Sequence, residues 1–210
     1  MPRLTPANVA RARETISLYP HPRSALIPLC HLAQEQDGWL TPDAMEHIAE
    51  LLELTPAQVL GVASFYDMLH TEPVGRHLVA VCTNIACLLS GGEELLEHAE
   101  RSLGVSVGGT TADGEFTLED SECIAFCEEA PCLQVNSRFF GNVDAARFDQ
   151  LVEDLRAGRL ADSVPRHGTL SRVRRDGGLK VPAERVAAER AEADAARARR
   201  KAAAEQEAGR

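Results

Sequence analysis

The chain has 210 residues, 32 acidic against 22 basic side chains, and a formal charge of −10. Such a length holds one ordinary domain with extensions or two small ones, each burying its own core without disulfides. The charge is uneven, with 10 basic and 24 acidic residues up to Ala161 against 12 and 8 beyond it; an acidic body argues against nucleic-acid binding, which draws on Lys and Arg at phosphates.

The opening stretch MPRLTPANVARARETISLYP is charged throughout and lacks the apolar segment of a signal peptide, and no apolar run approaches a membrane span. The expectation is a cytoplasmic protein with no direct membrane span, in which six cysteines serve as metal ligands or buried thiols in preference to disulfides.

Residues 1–72 read as an all-α helical bundle. Thr5-Pro6 opens a helix toward Leu18, a polar cap followed by proline where its missing N–H costs nothing. Ser24 to Gln36 forms a second helix with Leu26, Ile27, Cys30 and Leu32 as its apolar stripe, stopped by Asp37-Gly38. Thr41-Pro42 and Thr55-Pro56 cap two further helices, whose Met45, Ile48 and Leu51, and Val59, Val62 and Phe65, are expected to face inward. Cys30 reads as core.

From residue 73 to 158 the pattern becomes α/β. HLVAVC is a short apolar run ending at Cys82 and reads as a buried strand. GGEELLEHAERSLG reads as a helix with Glu93 and Glu94 in its first turn. VSVGGTTADGEFTLEDSEC offers a strand, a Gly-rich loop and a second strand over Phe116 to Ser121. CLQVNSRFFGNV reads as a hairpin about Asn136-Ser137, and DAARFDQLVEDLRAG as a closing helix capped by Asp144. The order suggests an α/β sandwich of the thioredoxin type. Residues 159–210 form a charged tail rich in Ala, Arg and Glu: LADSVPRHGTLSRVRRDGGLK is linker-like, and the remainder is expected to be disordered or docked on a partner.

The chemistry lies in five clustered cysteines. Cys82 and Cys87 enclose four residues, Cys123 and Cys127 enclose three, and Cys132 follows closely. Both pairs sit in loops at predicted strand ends, so neighbouring strands would converge their thiols at one sheet edge. Loops of four and three with a 35-residue gap fit zinc knuckles poorly, depart from the common ferredoxin spacings, and contain no two-residue dithiol loop. The spacing favours an iron-sulfur cluster over zinc and leaves open which four cysteines bind, since Cys127 and Cys132 repeat the spacing of the first pair. The histidines, among them His31, His47, His70 and His77, read as structural, because none lies inside a cysteine loop.

With these residues in view, the segments VCTNIACLLSGGEELLE, GEFTLEDSECIAFCEEAPCLQVN and FFGNV, preceded by GVASFYDML, resemble the thioredoxin-like [2Fe-2S] subunit of respiratory NADH:quinone oxidoreductase, complex I. The similarity spans about Ala25 to Gly158 and excludes the tail. It implies an α/β thioredoxin-like [2Fe-2S] ferredoxin domain after the helical bundle, and one [2Fe-2S] cluster on Cys82, Cys87, Cys123 and Cys127. It also implies single-electron exchange with FMN on a partner subunit that binds NADH, docked through the N-terminal helices. The chain would act as a subunit of an oxidoreductase at the inner face of the cell membrane, with no turnover alone. No dinucleotide or Walker motif argues for a nucleotide site of its own. An equivalent diaphorase-type subunit of an NAD-linked hydrogenase or formate dehydrogenase is the near alternative, and a zinc-stabilised interaction module the distant one. Two departures stand out: Ile124-Ala125-Phe126 is bulkier than the Leu-Gly-Ala loop usual in the family, and Cys132 occupies a position where Met or Val is expected. Cys132 is read as an inert buried residue. Glu119, Asp120, Glu122, Glu128 and Glu129 crowd the second pair, and such negative charge disfavours reduction of an anionic cluster.

Overall fold

Three of the first four helices start with the same Thr-Pro signal and realise it the same way. In α1 (Pro6–Ser17), α3 (Pro42–Leu52) and α4 (Pro56–Ala63) the preceding threonine is extended, and proline occupies the first turn. The Oγ1 atoms of Thr5, Thr41 and Thr55 accept from the N–H groups of Asn8, Ala44 and Gln58 at 3.3, 3.2 and 3.3 Å. At Thr55 the cap is reciprocal, because the Gln58 side chain accepts from the Thr55 N–H at 2.9 Å. Helix α2 (Leu26–Asp37) begins later than the sequence suggests, since Pro22–Ala25 winds into a tight 3-10 turn, and Gly38 ends it at φ 82°.

These elements belong to a computed structural model that describes residues 3–165 and 183–208 and divides into two compact units. In the first, Leu29, Cys30, Leu32, Leu40, Ile48 and Val59 are fully buried, so Cys30 is core as expected, and burial pushes its thiol up to about 12. The buried Gln34 is satisfied at both ends, donating to the Met68 carbonyl at 2.9 Å and accepting from the His70 N–H at 2.8 Å. One core assignment is corrected: Phe65 is 76% exposed, because α4 stops at Ala63 and the helical stripe does not reach it. Helix α8 (Ala183–Ala208) belongs to this unit. Its Arg190 donates to the carbonyls of Ile16 and Tyr19 at 2.7 and 2.8 Å, at and just beyond the C-terminal end of α1, and Arg197 pairs with Glu53. Of the expected linker, residues 160–180, those from 166 to 180 lie outside the described residues.

The second unit is built on four strands, β1 (His77–Cys82), β2 (Phe116–Ser121), β3 (Leu133–Val135) and β4 (Arg138–Phe140), ordered β2-β1-β3-β4. β1 and β2 run parallel, from His77 opposite Phe116 to Cys82 opposite Ser121, whereas β3 is antiparallel to both β1 and β4. Helix α5 (Ile85–Leu88) is a single turn, followed by α6 (Gly92–Leu103) and, after the hairpin, α7 (Ala145–Arg156). Asp144 caps α7 as expected, accepting from the Arg147 N–H at 2.8 Å. Val79, Val81, Phe116, Leu118, Leu133 and Val135 of the sheet share one core with Leu95 and Ala99 of α6 and Phe148, Leu151 and Leu155 of α7.

The hairpin turns where the sequence places it. Asn136 and Ser137 both have positive φ, 47° and 63°, as a two-residue turn matching strand twist requires. The Asn136 carboxamide holds that turn in place, accepting from the Leu78 N–H at 2.8 Å and donating to the Arg76 and Pro165 carbonyls. The strand expected at the start of VSVGGTTADGEFTLEDSEC, ahead of the Gly-rich loop, does not form among the described residues. Gly108 bends it at φ 81°, and a single bridge from Thr110 to Thr117 remains. No helix among the described residues is long and apolar enough to cross a membrane.

Candidate metal centre

The parallel pairing of β1 with β2 sends both cysteine loops out of the same sheet end, the carboxyl end where α/β sheets bind their ligands. Cys82 closes β1, and its backbone N–H donates to the Cys132 carbonyl at 3.0 Å. Thr83 continues the ladder onto Ser121 at 2.9 Å. The chain then turns through Asn84 into α5, which carries Cys87 back toward Cys82. Helix α6 begins hard against this turn: a Cβ at Gly92 would lie 2.9 Å from the Cys87 carbonyl atoms and 3.0 Å from the Cys82 oxygen, so only glycine permits the approach. Cys132 enters beside them because β3 pairs with β1.

The Sγ atoms of Cys82, Cys87 and Cys132 all lie within 4.8 Å of one another, with Cys87 and Cys132 3.5 Å apart. Ile124, Phe126 and Ala130 wall this sulfur pocket. Cys123 and Cys127 are exposed on the loop after β2, outside the trio. Within that loop Ala125 adopts φ 56°, a conformation uncommon for a residue with a Cβ, and its N–H donates to Cys123 Sγ at 3.4 Å. The structure thus brings Cys82 and Cys87 together, keeps the second pair on the adjoining loop, and places the thiol of Cys132, read from the sequence as inert, in contact with the first pair. The equal spacing of Cys127–Cys132 and Cys82–Cys87 was its sequence signal.

The three buried thiols differ in acidity. Burial raises all three. At Cys82 the amides of Ile124 and Asn84, with the thiols of Cys87 and Cys132, outweigh burial and hold the thiol below its usual value. Burial prevails at Cys87, and Cys132 is raised further by burial and by the neighbouring sulfurs of Cys87 and Cys82. Glu122 and Glu128 are exposed. A pocket offering only sulfur donors, with amides already turned toward one of them, fits an iron-sulfur cluster.

A thioredoxin-like sheet whose two strand-end loops carry thiols defines a class of electron-transfer domain. The sequence pattern of the thioredoxin-like [2Fe-2S] ferredoxins matches residues 12–156, and the chain belongs to that family. It is 44% identical over 148 residues to an NADH-quinone oxidoreductase subunit of Rhizobium meliloti (strain 1021), a match covering 70% of this chain and 88% of that one. NADH-quinone oxidoreductase subunit 2 of Thermus thermophilus is 38% identical over 154 residues, covering 72% of this chain and 85% of its own. The chain spans 58% of an NADH-quinone oxidoreductase subunit from Mycobacterium bovis, at 44% identity over 146 residues, or 70% of its own length. Among solved structures, an NAD+-reducing [NiFe]-hydrogenase superposes with a TM-score of 0.60 at 26% identity, over 67% of this chain and 24% of that one.

Proposed function

We propose that this chain is the [2Fe-2S] electron-transfer subunit of an NADH:quinone oxidoreductase, with Cys82, Cys87, Cys123 and Cys127 as ligands. The observation that carries the reading is the parallel register of β1 and β2, which opens both cysteine loops at one sheet end. When bound, the cluster supplies one-electron chemistry, which is what a hydride donor such as NADH needs on the far side of a flavin. The residues of the chain do the rest. Cys82 is held toward its thiolate by the Ile124 and Asn84 amides; Ala125 aims its N–H at Cys123 Sγ; Ile124 and Phe126 exclude water from the inner sulfurs. FMN and NADH belong to a partner subunit in this reading. The N-terminal helices are its docking face, supported by Leu60, Phe65 and Met68, exposed by 47, 76 and 50%. The assembly would sit against the cytoplasmic face of the membrane.

The test is anaerobic reconstitution of the full chain with iron and sulfide, followed by electron paramagnetic resonance after reduction. The expected result is a [2Fe-2S] signal lost in each of Cys82→Ser, Cys87→Ser, Cys123→Ser and Cys127→Ser and kept in Cys132→Ser. A signal that survives Cys127→Ser but not Cys132→Ser would reassign the ligands. The hydrogenase superposition supports a second reading, the equivalent subunit of an NAD-linked hydrogenase. Identification of the proteins that co-purify with the chain decides between the two.

A further inference from the structure

From the trio of buried sulfurs we infer a second metal site: in the cluster-free chain Cys82, Cys87 and Cys132 bind a single thiophilic divalent cation of the zinc or ferrous type. The inference rests on the [2Fe-2S] reading only in that Cys82 and Cys87 serve both sites. A tetrahedral ion about 2.3 Å from each sulfur spaces its sulfurs about 3.8 Å apart. The trio is compatible with that spacing: Cys87 and Cys132 lie 3.5 Å apart and every pair lies within 4.8 Å. The ion needs no change of fold.

Two backbone restraints hold the three sulfurs in place. Cys82 and Cys132 are tied by the N–H to carbonyl bond at 3.0 Å, and Cys87 is fixed by the start of α6 pressing at Gly92. Neither restraint involves Cys123 or Cys127. The walls are the apolar side chains of Ile124 and Phe126, which strengthen attraction between thiolate and cation by lowering the local dielectric. Each thiol releases its proton to solvent on binding, and water takes the fourth position. Because Cys82 and Cys87 are shared, the ion and the cluster exclude one another. Cys132 therefore acts in the cluster-free chain and is set aside in the loaded one.

Cobalt(II) is the probe, added to the full-length cluster-free chain under reducing, anaerobic conditions, with absorption reporting sulfur-to-cobalt charge transfer. The expected result is a charge-transfer band saturating at a single equivalent, retained in the Cys123→Ser/Cys127→Ser double variant and bleached by zinc. The band should be lost in Cys132→Val and Cys132→Ser, of which the one keeps apolar bulk and the other size. Circular dichroism checks that both variants keep the wild-type fold. A band that persists in both Cys132 variants, disappears in the double variant, or never forms in the wild type overturns the second site. Paramagnetic resonance of the reconstituted wild type reports on the cluster separately, so either reading can fail while the other stands.

Discussion

At the scale of single residues, Asp113 shows how an exposed carboxylate ties distant parts of the second unit. It accepts from Thr111 Oγ1 at 2.5 Å, from Arg156 Nη1 at 2.6 Å and from the Glu115 N–H at 3.0 Å, while Arg156 lies 4.9 Å over the Phe116 ring. The Thr111 hydroxyl first, then Arg156, hold the carboxyl well below the usual carboxylate range. Since the folded-state value is depressed, its stabilisation is complete above the unfolded-state value of about 3.9 and is lost as pH falls through the folded value. Asp113→Asn should therefore cost stability at neutral pH, and the gap to wild type should narrow once pH drops below about 4. Urea midpoints of both proteins across that range measure it; a gap that stays constant into strong acid removes the linkage.

At the scale of elements, the site depends on how closely α6 abuts the first cysteine loop. Gly92→Ala would drive a Cβ to within 2.9 Å of the Cys87 carbonyl atoms. Backbone cannot yield as a side-chain tip does, so overpacking costs on the order of 1–3 kcal/mol. The strain falls on the segment carrying Cys87, so cluster occupancy after reconstitution should drop together with the unfolding midpoint. Full occupancy at an unchanged midpoint would show that α6 does not set that loop. The local signals are legible in the sequence: the Thr-Pro caps, the strand ending at Cys82 and the Asn136-Ser137 turn all appear where propensity and pattern put them. What local pattern cannot carry is register. That β3 inserts beside β1 and brings Cys132 to Cys87 is a pairing of residues far apart in the chain, visible only once the sheet is assembled. The misplacement of Phe65 has the opposite origin, an apolar period extended past the point where the helix stops.

At the scale of the whole molecule, the five clustered cysteines fall within the unit running from Glu72 to Ser171, and among the described residues its core is made by that unit's sheet and helices with Val143 and Val164 from its loops. The exposed apolar side chains of Leu60, Phe65 and Met68 fall within the other unit. Cluster binding and partner docking should therefore separate by truncation. A chain restricted to residues 72–171 keeps the strand pairing, the Gly92 contact and the α7 cap, so it should still give the [2Fe-2S] signal after reconstitution. It lacks the helices proposed to dock, and its co-purification with the flavin-bearing subunit should be lost. Substituting Leu60, Phe65 and Met68 together by serine in the full chain asks the same question without deletion: these exposed side chains contribute little to the core, so the fold should persist while binding falls. Retained co-purification of both the fragment and the triple variant would move the docking face onto the cluster-bearing unit.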